Sequence, residues 1–172
     1  MADADVVVAV RIERATSGLT RGWIAATGGQ LFAELGPYQQ ILEAWLGQPG
    51  VHAWAAWLGP TPVAFAVLAF YQEAGRPGGP PEPVADLLGL GVLPAARQRG
   101  IGAALLERAI GAAVRAARTG PLTTLRLTVA TANLEAQRLY ARAGFVVEAS
   151  PQPAELVYPS GVAAVRMVRP LP

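Results

Sequence analysis

The chain has 172 residues, 52% hydrophobic and 15% charged, which suits one α/β domain with a full core and leaves too little for two. It has no cysteine, a single histidine, and fourteen basic residues that are all arginine. Disulfides, thiolate metal sites, a cysteine-acyl intermediate, a two-histidine zinc site and a lysine-dependent phosphate loop are thereby excluded, and no metal is expected. A formal net charge of +2 gives little reason to expect a nucleic-acid partner, despite a pI near 9.5.

Val6–Ile12 is a β-branched run and predicts an opening strand. Between Thr16 and Leu46 the signals mix. Helical stretches near Leu31–Leu35 and Tyr38–Leu46 are interrupted by Gly28-Gly29 and Gly36-Pro37. Val51–Leu58 and Val63–Tyr71 predict two strands joined at Gly59-Pro60-Thr61-Pro62, a linker of hairpin length. Glu73–Pro83 holds four prolines and three glycines, too broken for a helix or a central strand. It predicts an exposed loop inside one domain spanning residues 1–172, since neither flank makes a domain alone. Val84–Leu93 is nearly continuously apolar and predicts a strand buried on both faces.

Ile101–Ala117 is the clearest helix, with Leu106, Ala109, Ile110, Ala113, Val114 and Ala117 on one face. Thr119-Gly120-Pro121 stops it. Leu125, Leu127 and Val129 alternate with Arg126 and Thr128 as in a half-buried strand. Asn133 then caps a helix whose apolar face is Ala136, Leu139, Tyr140 and Ala143, closed by Gly144. Phe145–Ala149 and Val162–Val168 predict two last strands. No apolar run reaches the roughly 18–20 residues of a membrane span. Met1–Val10 carries two aspartates and no basic residue, unlike a secretory signal. The expectation is a soluble, cytoplasmic protein with no membrane partner.

The chemistry concentrates in Leu87–Gly102: an apolar strand, a short loop with Arg97 and Arg99, then a helix opening on Gly100-Ile101-Gly102. Glycines let the backbone approach a ligand and leave amides free to point at it. Those amides lie at the positive end of the helix dipole, which favours an anion such as a pyrophosphate, and the arginines add full charges. Residues 87–172 hold ten arginines against four acids, and residues 1–86 four against eight. A phosphate-rich ligand suits the basic half and a cationic one the acidic half, though solvation alone also accounts for such a split. A dinucleotide fold is disfavoured. Its G-x-G-x-x-G pattern fails after Gly102, and Gly89-Leu90-Gly91 lies inside the strand.

The same stretch resembles motif A of the GNAT superfamily of N-acetyltransferases, V-x-P followed by [Q/R]-x-x-G-x-[G/A]. Val92-Leu93-Pro94 and Arg97-Gln98-Arg99-Gly100-Ile101-Gly102 match it at every defined position. Downstream, the segment from Asn133 through Ala136, Leu139 and Tyr140 to Gly144-Phe145 resembles the family's N-x-x-A-x-x-L-Y-x-x-x-G-F. The resemblance implies an α/β fold with a mixed, mostly antiparallel sheet flanked by helices. Two parallel strands, Val84–Leu93 and Leu125–Ala130, would splay apart to admit acetyl-coenzyme A as acyl donor. It implies that the backbone of Leu90, Gly91 and Val92 pairs with the pantetheine arm. The amides of Gln98, Arg99, Gly100, Ile101, Gly102 and Ala103 would hold the pyrophosphate.

The resemblance further implies that Tyr140 serves as general acid near the sulfur and that Asn133 contacts the pantetheine arm. Packing on the apolar helix face is the alternative for Tyr140, whose buried hydroxyl would still need a partner, and Asn133 serves equally as a cap. With no cysteine, direct attack by an amine in a ternary complex is the simplest scheme. Asp86, in an otherwise apolar run where the histone-acetyltransferase branch places a glutamate, is the first candidate base, acting through water. His52 is the second, because imidazole titrates near neutrality. The tryptophans 23, 45, 54 and 57 are either an acceptor wall or core. The acceptor is expected to be a small primary amine entering beside Thr16–Leu46 and Glu73–Pro83. A protein N-terminus or lysine, or a non-catalytic acyl-coenzyme A sensor, are the alternatives. Oligomeric state stays open, a homodimer included.

Overall fold

The computed structural model describes residues 9–75, 77–149 and 156–172. The elements in chain order are β1 (Val10–Arg14), α1 (Gly18–Leu31), α2 (Tyr38–Leu46), β2 (Val51–Leu58), β3 (Thr61–Glu73) and β4 (Glu82–Val92). A single 3-10 turn at Pro94–Ala96 leads to α3 (Ile101–Ala117), β5 (Thr124–Ala130), α4 (Leu134–Arg142), β6 (Val146–Val147) and β7 (Ala164–Pro170). The strands form one sheet ordered β1-β2-β3-β4-β5-β7-β6, in which only β4 and β5 are parallel. The α/β fold with a mixed, mostly antiparallel sheet is as expected.

One face of the sheet packs on α3 and α4 through Leu68, Leu87, Leu105, Leu106, Leu127 and Met167. The other carries α1 and α2 over Ile24, Leu42, Leu46, Phe65 and Val67. At roughly 1.5–3 kcal/mol for each buried large aliphatic or aromatic side chain, these two layers dominate the favourable side of folding.

The α1 helix corrects the sequence reading. It runs unbroken through Gly28-Gly29, and Leu31–Leu35 is turn rather than helix beyond Leu31. The glycines mark where α2 crosses: a side chain at Gly28 would strike Leu42, and one at Gly29 would stand 2.8 Å from Gln39. Close helix packing, rather than a break, is what they serve. The N-terminus is capped by Ser17, whose Oγ accepts from the Thr20 amide at 3.1 Å. The opening strand is shifted to Val10–Arg14, and Val6–Val8 lie outside the described residues.

In β4 the expected burial on both faces gives way to alternation of buried and half-buried positions. A bulge within it shifts which face the alternate positions take. Val67 pairs with Gly89 and Leu68 with Leu87, so Leu88 has no partner on β3. Ala85 and Leu87 therefore face the α3 side before the bulge and Leu90 and Val92 after it, while Gly89 and Gly91 turn toward Phe65. The α3 face is broader than its periodicity indicated, since Ile101, Leu105 and Ala112 are also buried. At the far edge, β6 keeps only two residues and β7 starts at Ala164, both shifted from the expected bounds.

Candidate functional site

The parallel pair meets over three residues only, Ala85–Leu125, Asp86–Arg126 and Leu87–Leu127. Beyond these, β4 continues to Val92 and β5 to Ala130 without pairing to each other. The bulge at Leu88 stands where they part, as expected of a residue that bends its strand and raises the local twist. The edge of β4 from Gly89 to Val92 is thus open toward β5, and an extended ligand arm can add to it as a strand would.

At the end of β4 the chain turns through Pro94–Ala96 into the loop before α3. Gln98 has φ 60° and Gly100 φ 75°, both left-handed. Gly100 is the N-cap, so a left-handed residue followed by helical Ile101 forms a concave nest of amides. Among the described residues, the N–H groups of Gln98 to Ala103 have no backbone acceptor. The first helical bond is Ala104 N–H to Gly100 O, 3.0 Å. These free donors at a helix N-terminus fit a pyrophosphate. Arg97 turns back, its Nε donating to Val92 O at 3.1 Å, so it braces the loop on the strand end. Gly102 lies near Val92 and Leu139, with room for one methyl group at ordinary contact distance.

The α4 residues approach the same opening. Tyr140 is 8% exposed, its ring packed edge-on against Phe145 at 6.0 Å. Burial pushes its hydroxyl pKa up to about 12, and that hydroxyl has no hydrogen-bond partner among the described residues. Asn133 is a cap, its Oδ1 accepting from the Ala136 amide at 3.1 Å. Gln137, which the sequence reading passed over, ties α4 to the end of β5 by donating to Ala130 O and Thr131 O at 3.1 and 2.9 Å.

The two candidate bases part company. Asp86 lies at the foot of the opening, and its Oδ2 accepts from the Tyr71 hydroxyl at 2.9 Å and Arg126 Nε at 3.2 Å. His52 faces the α3 side from β2. Its Nδ1 is 3.0 Å from Arg14 Nη1 and its ring packs on Phe70. Burial, then Arg14 and Arg115, lower its pKa. The structure brings Asp86 to the opening and leaves His52 away from it. Of the tryptophans, Trp54 is core, and Trp45 packs on Tyr71 at 5.3 Å beside a cavity of about 320 Å³ lined also by Gln48 and Phe70.

A bridge crosses the α1–α2 face of the sheet. Ser160 N–H donates to Leu35 O at 3.2 Å, the Tyr38 and Tyr158 rings meet at 6.1 Å, and Tyr158 donates to Thr128 O at 3.0 Å. Burial raises the pKa of both tyrosines, and the Asp86 charge adds to the effect on Tyr38. Sequence reasoning missed Tyr38, Tyr71, Glu73, Arg126 and Tyr158. The one available signal was Arg126, the single charged residue of β5.

A helix N-terminus with free amides thus stands beside two parted parallel strands, an arrangement able to seat an anionic ligand with an extended arm. A family model for the Acetyltransferase (GNAT) family matches residues 21–145, and the chain belongs to that family. Among curated proteins, none matches it in sequence. Its fold is similar to Arabidopsis thaliana NAA60 in complex with a bisubstrate analogue, with TM-score 0.72 and 16% identity over 95% of this chain and 100% of that one. It is also similar to the ribosomal-protein-S18-alanine N-acetyltransferase from Escherichia coli, with TM-score 0.67 and 21% identity over 95% and 94%. Ard1 from Thermoplasma volcanium gives TM-score 0.67 and 23% identity over 96% and 99%. Among the described residues, no helix is long and apolar enough to cross a membrane, and no acidic or histidine group is placed to hold a metal.

Proposed function

We propose that this chain transfers the acetyl group of acetyl-coenzyme A to a primary amine of a small molecule, by direct attack in a ternary complex. The observation that carries the reading is the run of amides from Gln98 to Ala103 at the mouth of the parted strands, which have no backbone acceptor among the described residues, next to the buried Tyr140 hydroxyl. The amides of the Gly100 nest hold the pyrophosphate, and the open edge at Leu90, Gly91 and Val92 holds the pantetheine arm. When bound, the donor supplies an activated thioester carbonyl.

The amine nitrogen forms the new C–N bond as the C–S bond breaks, so one proton must leave nitrogen and one must reach sulfur. Asp86, through Oδ1 and a water, receives the first. Tyr140 donates a hydrogen bond to the sulfur as charge develops there. With its pKa at about 12, full release of that proton to a thiolate, whose thiol titrates near about 8.5, runs uphill. The hydroxyl therefore stabilises the leaving thiolate by hydrogen bonding, the thiolate takes its proton from solvent, and Asp86 returns the amine's proton to solvent, so that the two transfers balance.

The bridge between Leu35–Tyr38 and Tyr158–Ser160 supports an acceptor that presents its amine at one end, since a mid-chain side chain would have to pass beneath it. A protein N-terminus meets the same condition and is the second reading, favoured by likeness to an enzyme of ribosomal-protein alanine. Calorimetric titration with acetyl-, propionyl-, desulfo- and free coenzyme A, followed by thiol release with amines and short peptides, tests the proposal. Donor binding with amine-dependent thiol release supports it. Binding without turnover of any amine would leave an acyl-coenzyme A sensor, and absence of binding by folded protein would remove both.

A further inference from the structure

Where β4 and β5 still pair, the middle register pair is joined by its side chains as well. Arg126 Nε donates to Asp86 Oδ2 at 3.2 Å across the Asp86–Arg126 pair. The other guanidinium nitrogens cross to β3. They reach the two oxygens of Glu73 at 2.8 and 2.9 Å, and Nη2 also donates to the Tyr71 hydroxyl at 2.7 Å. Tyr71 itself donates to the same Asp86 oxygen. One guanidinium thus ties three strands at the point where two of them separate.

Only a planar fork with donors at both ends fits this arrangement, because lysine offers a compact point charge. The Arg126 side chain is 14% exposed and that of Asp86 16%, so water cannot readily replace the partners if one is removed. Both donors meet Oδ2, which leaves Oδ1 as the Asp86 oxygen without a partner among the described residues. Arg126, directly and through the Tyr71 hydroxyl that it also holds, thereby orients the carboxylate with Oδ1 free.

We propose that Arg126 is a positioning residue for acyl transfer: from β5 it fixes the Asp86 carboxylate and the foot of the β4–β5 opening against β3. The inference rests on the reading of Asp86 as the group that receives the amine's proton. Arg126 touches no reacting atom, and its effect passes through Asp86.

The test places Arg126→Met and Arg126→Lys in the wild-type and Asp86→Asn backgrounds. Readouts are amine kinetics, acetyl-coenzyme A affinity by calorimetry, and hydrogen exchange of β4 and β5 amides. Each arginine variant lowers kcat by about ten-fold or more while donor affinity stays within about three-fold. In the Asp86→Asn background that loss disappears, because the carboxylate to be positioned is gone. An equal loss in both backgrounds, or unchanged kinetics, overturns the proposal. If Arg126→Met does not fold, Glu73→Gln, which weakens only the outer end of the clamp, gives a smaller loss coupled to Asp86 in the same way, and an uncoupled loss overturns it. If the wild-type protein binds donor but acetylates no amine, the functional reading has failed, and exchange decides the clamp alone. Faster exchange over Ala85–Leu87 and Leu125–Leu127 in Arg126→Lys supports it; unchanged exchange overturns it.

Discussion

Gly91 and Phe65 are packed so closely that a methyl group on Gly91 would stand 2.7 Å from the ring, with Leu31 at 2.9 Å on the other side. Phe65 is fully buried and wedged edge-on between Trp23 and Phe32, so it has nowhere to go. Gly91→Ala therefore overpacks the α1–α2 layer and costs about 1–3 kcal/mol. The strain is released by pushing β4 toward the opening, so the variant shows both a lower denaturation midpoint and weaker acetyl-coenzyme A binding. Unchanged stability in urea would mean that the layer yields more easily than its burial implies.

Gly100 and Gly102 separate two reasons for a glycine in one loop. At Gly100 the space is open, but φ is 75°, and any side chain pays the left-handed cost of about 1–2 kcal/mol or turns the nest amides away. At Gly102 a methyl would meet Val92 and Leu139 at ordinary distances of 3.6 and 3.7 Å. Calorimetry should find acetyl-coenzyme A affinity reduced several-fold or more in Gly100→Ala and little altered in Gly102→Ala. Equal affinity in the two variants would speak against the nest as the pyrophosphate seat.

Tyr140→Phe removes one oxygen and keeps the ring on Phe145. Turnover should fall by roughly 10²-fold, as for loss of one hydrogen-bond donor to developing charge, with donor affinity nearly intact. Because the hydroxyl titrates at about 12, the wild-type rate shows no loss from its ionisation below about pH 11. An alkaline limb that starts lower and disappears in Tyr140→Phe would contradict this assignment of the proton.

His52 gives a pH dependence of stability rather than of rate. Burial and the neighbouring arginines depress its folded pKa, so the unfolded chain binds the proton more readily. Stability is then full above the ordinary value near about 6.5 and is lost as pH falls from there through the folded value. Thermal unfolding between pH 8 and pH 5 should show a steeper decline for the wild type than for His52→Gln, with amine turnover at pH 8 equal in the two. A parallel decline would mean that the ring is not held neutral by its surroundings.

Elements with a strong local period were readable without the fold. The sequence places α2 and α3 at the bounds observed, and the Asn133 cap and the Gly144 stop follow from short-range chemistry. Features set by distant chain were not readable. Gly28-Gly29 reads as a helix breaker until α2 is known to cross there, and Leu88 reads as one more apolar strand residue until its partners on β3 are counted. Arg126 meets Glu73 and Asp86, respectively 53 and 40 residues away in sequence, and no local pattern marks such a partnership. The left-handed Gln98 carries no compositional sign at all, because glutamine rarely adopts that conformation unless its surroundings impose it.

The unpaired Leu88 has a consequence for how this sheet could be sealed. Deleting that residue would leave every side chain before and after it on its present side, since an insertion of one is all that distinguishes β4 from a regular strand. The shortened β4 would keep step with β5 past Leu87 and Leu127, zipping main chain to main chain up to the helix. Such a protein is expected to lack the gap between β4 and β5, which in the native chain opens at the one β4 residue that the β3 ladder does not use.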